Sequence, residues 1–298
     1  MLHRDHVRGF RLAEVLALAL CAASLDVAVA AEDPKPNRIK IEYVAPKDPA
    51  HLPIYNMVKE QKALEKLQEI FAPFKFPIDV NLKTTGCDGV SNAWYQRPTL
   101  TICYEYLADI RKTLPTETTA DGITPRDAVI GQFFYVVAHE MGHASFDLLN
   151  IPLFGRPEDA ADQFAAYMML QLGKNQARRL IAGAAYSYKD YVENKRVTVP
   201  QTAFADVHGA PMQRFYNLLC IGYGADREAF SDLVTKGYLP ESRAPSCRVE
   251  YGEVNFAFQQ LIAPQLDKEM AKAVLDKTWL PELPKPEPPP APSNALPK

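Results

Sequence analysis

His139-Glu140-Met141-Gly142-His143 is the stretch that decides how this 298-residue chain is read. The pattern H-E-x-x-H sets two histidines four residues apart. On a helix that spacing is one turn, so both imidazoles face the same way and can hold one metal ion. Glu140 then points about a quarter-turn aside, where its carboxylate can take a proton from a metal-activated water without ligating the metal. Those are the parts of a zinc-dependent hydrolytic site. Two core histidines bonded to backbone are the plainer account of the same pentapeptide.

The residues before the motif, Ala128 to Ala138, are apolar on nearly every side and are interrupted by Gln132. Ile130, Phe134, Val137, Met141, Ala144 and Leu148 recur at steps of four and three, which predicts one long buried helix over about residues 127–149. Two imidazoles and a carboxylate at the end of a buried helix need partners, because unpaired buried charge is costly. A metal ion satisfies all three groups.

A catalytic zinc site takes a third protein ligand and keeps one position open. Asp147 lies a further turn along, but three side chains at 139, 143 and 147 span about 12 Å on a straight helix and cannot converge on one ion. The extended pattern H-E-x-x-H-x-x-G-x-x-H is absent, since Phe146 and Leu149 stand at its glycine and its last histidine. Pro152 and Gly155 end the first helix, and Pro157 suits the first position of a second one. That helix carries Glu158 and Asp159 in its first turn and runs to about residue 172 through Phe164, Tyr167 and Met168. Glu158 and Asp162 share one face and look back at the motif. Glu158 is the expected third ligand, with one zinc per chain. Asp162 is the expected partner for the other ring nitrogen of a ligand histidine. Asp159 and Asp162 remain alternative ligands. Small Ala161 and Ala165 allow the two helices to approach closely.

The ends of the chain speak to its destination. Arg4, Arg8 and Arg11 precede the apolar run Leu12 to Leu25, and Ala28-Val29-Ala30 ends it, so residues 1–30 read as a secretory signal peptide. Cys21 follows Leu20, which is too large for the usual lipoprotein signal. No later segment has the length and apolarity of a membrane span. The expected destination is therefore the periplasm or the exterior, with residues 31–280 as the folded domain. Four cysteines follow the signal, an even number suited to an oxidising compartment. Three pairings exist, and sequence proximity favours Cys87–Cys103 with Cys220–Cys247. A four-cysteine zinc site is the competing arrangement, but no C-x-x-C spacing occurs. Residues 281–298 hold eight prolines and read as a disordered tail. The net charge of −3 comes without a basic stripe, which excludes a nucleic-acid partner.

Arg38 to Val44 and Pro77 to Lys83 read as strands, with a helix over 53–72 between them. Ala93-Trp94-Tyr95 and Leu100-Thr101-Ile102 flank a turn at Gln96-Arg97-Pro98. From Ala177 onward the pattern is largely helical.

The motif followed by Glu158-Asp159-Ala160-Ala161-Asp162 resembles the gluzincin arrangement. A wider set of segments resembles a bacterial family of metallopeptidases assigned by motif and catalogued as a domain of unknown function. These are Cys87-Asp88-Gly89, Asn92-Ala93-Trp94-Tyr95, Ile102-Cys103-Tyr104-Glu105, Gln213-Arg214-Phe215-Tyr216-Asn217 with Cys220, and Leu239-Pro240 with Cys247. The resemblance implies an α+β zincin-like fold, a small mixed sheet over the motif helix, and hydrolysis of a peptide or protein substrate with Glu140 as general base. It also implies that the hairpin from Asn92 to Ile102 offers an edge to the substrate. His208 is the leading candidate for a donor to the oxyanion, ahead of Arg214, Tyr216 and His51. A zinc-dependent binding module that no longer cleaves is the alternative function.

Overall fold

A computed structural model describes residues 37–194 and 196–282; the signal segment expected at 1–30 and the Pro-rich stretch from residue 283 on lie outside the described residues. The first alternating run forms β1 (Ile39–Tyr43). The helix expected over 53–72 is two helices, α1 (Leu52–Glu60) and α2 (Ala63–Phe71). Lys62 between them has φ 49°. The start of α2 is fixed from outside the segment: Tyr43 Oη accepts from the Leu64 N–H at 2.9 Å and donates to Glu65 at 2.6 Å. A hydroxyl on β1 thus satisfies a free N–H of the new helix, which no local pattern announces.

β2 (Val80–Thr85) alternates cleanly, with Val80, Leu82 and Thr84 buried. It begins later than the expected strand: Pro77 has no N–H to give a ladder, and its carbonyl and the Asp79 carboxylate are held by the Arg38 guanidinium instead. Pairing starts where the Val80 N–H meets the Arg38 carbonyl at 2.9 Å. β3 (Ala93–Gln96) and β4 (Thr99–Cys103) form the expected hairpin. The sheet order is β1-β2-β4-β3, with β1, β2 and β4 parallel and β3 antiparallel at the edge. The Asn92 carbonyl accepts from the Cys103 N–H at 3.1 Å. By the alternation of an antiparallel ladder, Trp94 and Gln96 then bond toward β4, while Ala93 and Tyr95 turn their backbone groups away from the sheet. The disulfide Cys87–Cys103 ties the approach of β3 to the end of β4.

α3 (Tyr104–Thr113) leaves the sheet directly, and α4 (Pro125–Leu148) follows. Thr124 Oγ1 caps α4 by accepting from the Asp127 N–H at 3.0 Å, with Pro125 at the first position. Most of α4 is buried, since α5 (Pro157–Gln171) and α6 (Lys174–Ala185) pack against it. The α4–α6 crossing is backbone against backbone. A Cβ on Gly183 would stand 2.0 Å from the Asp127 carbonyl oxygen, and one on Gly131 would stand 2.6 Å from the Ala184 nitrogen. Buried Ala161 and Ala165 let α5 approach closely as well, though less tightly: a Cβ on Gly142 would stand 3.4 Å from Ala161 Cα.

The carboxyl half is helical: α7 (Lys189–Glu193), α8 (Pro211–Ala225), α9 (Asp232–Thr235), α10 (Ala244–Ala257) and α11 (Lys268–Leu275). The second disulfide, Cys220–Cys247, joins α8 to α10. The architecture is α+β, a small mixed sheet with a mostly helical remainder. No helix among the described residues is long and apolar enough to cross a membrane.

Candidate metal centre

The α4 periodicity brings His139 and His143 one turn apart on the face that meets α5. Pro157 starts α5 at the near end of that face, so Glu158 in its first turn points at the two imidazoles. His139 Nε2 lies 3.0 Å from Glu158 Oε2, His143 Nε2 lies 3.2 Å from the same oxygen, and the two nitrogens are 3.2 Å apart. This triangle fits a metal ion. Tetrahedral zinc with bonds of about 2.0 Å sets its ligand atoms about 3.3 Å from one another.

His139 Nδ1 is 2.7 Å from Asp162 Oδ1, one turn further along α5. Asp162 is in turn gripped by Arg214 of α8, with Nε donating to Oδ2 and Nη2 to Oδ1, both at 2.7 Å. An ionised Asp162 keeps the proton of His139 on Nδ1 and turns the Nε2 lone pair toward Glu158. At that separation a lone pair and a carboxylate oxygen repel unless a proton or a cation lies between them. The titration behaviour expresses the same demand. Burial opposes charge on His139, but hydrogen bonds to Asp162 and Glu158 outweigh it and raise the imidazole to about 9. The hydrogen bond from His139 holds Glu158 down to about 2 against its burial. Asp162 is desolvated too, yet its bonds to His139 and Arg214 keep it far below the usual carboxylate range. His143 is lowered by burial and by the neighbouring charge of His139.

Glu140 is not part of the triangle. It is buried, and desolvation pushes its carboxyl up to about 7, opposed by His139 and by the backbone N–H of Tyr95. The Tyr95 hydroxyl donates to Asp147 Oδ2 at 2.7 Å, and Arg97 lies 3.5 Å from the same carboxylate. Asp147, out of reach of the donor triangle along α4, thus pins the edge strand to the motif helix. Between β3 and α4 opens a cleft of about 680 Å³ that contains His139, Glu140, His143 and Glu158.

His208 also reaches this cleft. Its Nε2 stands 3.0 Å from Glu158 Oε2, and its ring stacks on His139 with centroids 5.9 Å apart. Asp206 steadies it through the His208 N–H at 2.8 Å. The Arg156 guanidinium holds the same loop by donating to the Asp206 and Val207 carbonyls. The other donors considered fall elsewhere or act differently. His51 lies against Tyr104, with centroids 6.2 Å apart, and Tyr216 packs on the core. Arg214 lines the cleft, but two of its nitrogens are committed to Asp162. Asp159 turns away and lies 3.9 Å from Arg156.

Sequence reading missed the Arg214–Asp162 clamp, since the two residues are 52 positions apart. It also missed Gln132, Tyr135 and Tyr188 in the cleft wall. Gln132 and Tyr135 stand seven and four residues before His139, so helical spacing alone would have found them.

A family model described as "Putative metallopeptidase" matches residues 43–262, and the chain belongs to that family. The matched span contains the whole triangle, Glu140, Asp162, His208 and Arg214. No curated protein and no solved structure gives a match.

Proposed function

We propose that this chain is an exported zinc-dependent peptidase of zincin-like type. The observation that carries the reading is the donor triangle of His139, His143 and Glu158 beside a buried carboxylate that is not part of it. When bound, zinc supplies Lewis-acid polarisation of a scissile carbonyl and lowers the pKa of a water in its open position. Glu140 takes the proton from that water and delivers it to the leaving amine; a carboxyl raised by burial is matched to both halves of that task. His208 Nε2 donates to the carbonyl oxygen as charge develops there. The edge strand β3 receives the substrate as an added strand, through the Ala93 and Tyr95 carbonyls; the Ala93 N–H is held by Asn92 Oδ1 at 2.9 Å and is released to the substrate only if that side chain turns away. The antiparallel edge beside the motif helix supports the zincin-like reading, and two disulfides support export.

The test joins composition to turnover. Signal-free protein should carry one zinc by elemental analysis and cleave a broad peptide pool in a chelator-sensitive way. Glu140→Gln should keep the zinc and lose turnover by about 100-fold or more, because an amide cannot accept the proton. Cleavage by that variant at the parental rate would remove Glu140 from its role. Zinc retained with no cleavage by the parent would leave a binding module instead.

A further inference from the structure

A second cavity, of about 500 Å³, lies away from the metal cleft, between α2, α4 and the segment Trp279–Pro281. Its walls are built by helical spacing. Ala63, Lys66, Leu67 and Ile70 form one stripe on α2, and Arg126, Val129, Ile130 and Phe133 form a matching stripe on α4. Val129, Ile130 and Phe133 stay only partly buried, so this apolar surface is open to a ligand. Each stripe also carries one cation, Lys66 and Arg126, and no acidic residue among the described residues lines the cavity. Among the described residues neither cation has an ion-pair partner, in a chain with 36 acidic and 33 basic residues.

We propose that this groove binds the alkyl chain of a free long-chain carboxylate, with Lys66 and Arg126 holding its head group. The size falls in the range of small-molecule sites, roughly 300–1,000 Å³. Polypeptide is a poor occupant. An extended peptide must satisfy its backbone groups, and apart from the two cations the described lining offers only Gln61 and the Trp279 indole, whose N–H already donates to the Val274 carbonyl. Two turns of helix about 10 Å wide and 11 Å long need roughly 850 Å³. An alkyl chain needs no hydrogen bond, and its terminal carboxylate matches two cations that make no ion pair among the described residues.

The chain's two tryptophans divide the readout, because Trp94 lines the metal cleft and Trp279 lines the groove. Signal-free full-length protein is titrated by calorimetry with dodecanoate below its micelle concentration, and in parallel with dodecan-1-ol. Emission is followed in the parent and in a Trp94→Phe variant, where only Trp279 reports. The expected result is one saturable site, with dodecanoate bound about tenfold more tightly than the alcohol at low salt and the gap closing at about 0.5 M salt. Lys66→Ala with Arg126→Ala should bring dodecanoate down to the affinity of the alcohol and leave the alcohol unchanged. Both side chains are exposed, so the double variant should fold. Absence of saturable binding, equal affinity for the two probes, or indifference of dodecanoate to the double variant overturns the proposal. So does a response of Trp94 with none from Trp279, since the ligand would then occupy the metal cleft. None of these outcomes depends on peptidase activity.

Discussion

Replacing Arg214 with methionine tests whether the metal centre depends on a residue that touches none of His139, His143 and Glu158. The methionine keeps apolar bulk and removes both hydrogen bonds to Asp162. Bonds to a charged group are each worth about 1.5–3 kcal/mol, and breaking a buried pair typically costs about 3–5 kcal/mol. Asp162 keeps its bond to His139 at 2.7 Å, so the loss of fold stability should sit near the lower end, about 3 kcal/mol. The effect on metal should be separate. With both Arg214 bonds gone, Asp162 keeps that bond but holds the His139 ring less firmly, and weakening of such support lowers zinc affinity by about 10- to 100-fold. That corresponds to about 1.4–2.8 kcal/mol of binding free energy. Stability is read from urea unfolding of metal-free protein, and affinity from competition with a chromophoric chelator. Arg214→Lys should recover part of the stability and little of the affinity, because an ammonium cannot reproduce the two-pronged grip. The control is Arg243→Met, which breaks the Arg243–Glu250 pair on the α8–α10 side. Zinc affinity within about twofold of the parent, or a loss no larger than that of the control, would falsify the clamp as an organiser of the site.

Three further outcomes follow from the geometry. Zinc titration of alanine variants should rank Glu158 as the most damaging loss, Asp162 next at about 10- to 100-fold, and Asp159 as nearly neutral; a larger loss at Asp162 or Asp159 would mean an aspartate ligand. Because burial raises Glu140 and the base must be ionised, kcat/KM should fall on the acid side as pH drops through a value between the ordinary carboxylate range and about 7, the cation drawing it downward; a pH–rate profile lacking an acid limb over that range contradicts the role. Gly183→Ala should destabilise by about 3 kcal/mol or more, since its Cβ would stand 2.0 Å from the Asp127 carbonyl oxygen. Gly252→Ala, with nothing within 4 Å, should stabilise α10 by up to about 1 kcal/mol; equal unfolding midpoints for the two variants would refute the backbone contact.

Sequence by itself determined the features that depend on short-range periodicity. Four residues make one turn, so His139 and His143 share a face wherever the helix goes, and Glu158 and Asp162 share another for the same reason. Pro157 marks a helix start through its fixed φ, whereas the start of α4, expected near residue 127, lies at Pro125 behind the Thr124 cap. Proximity along the chain favoured the two disulfides that form. Tertiary structure decided whatever joins distant segments. The break at Lys62 is fixed by a hydroxyl from β1, and the close crossing of α4 and α6 rests on two glycines 52 positions apart. Arg214 reads in sequence as a candidate oxyanion donor and serves in the fold as the grip on Asp162. The position of β3 at the sheet edge beside the motif helix follows from strand order, which residue alternation leaves open. The physical reason is range: backbone geometry repeats over three to five residues, whereas a partner across the core is selected only when packing has brought its helix there.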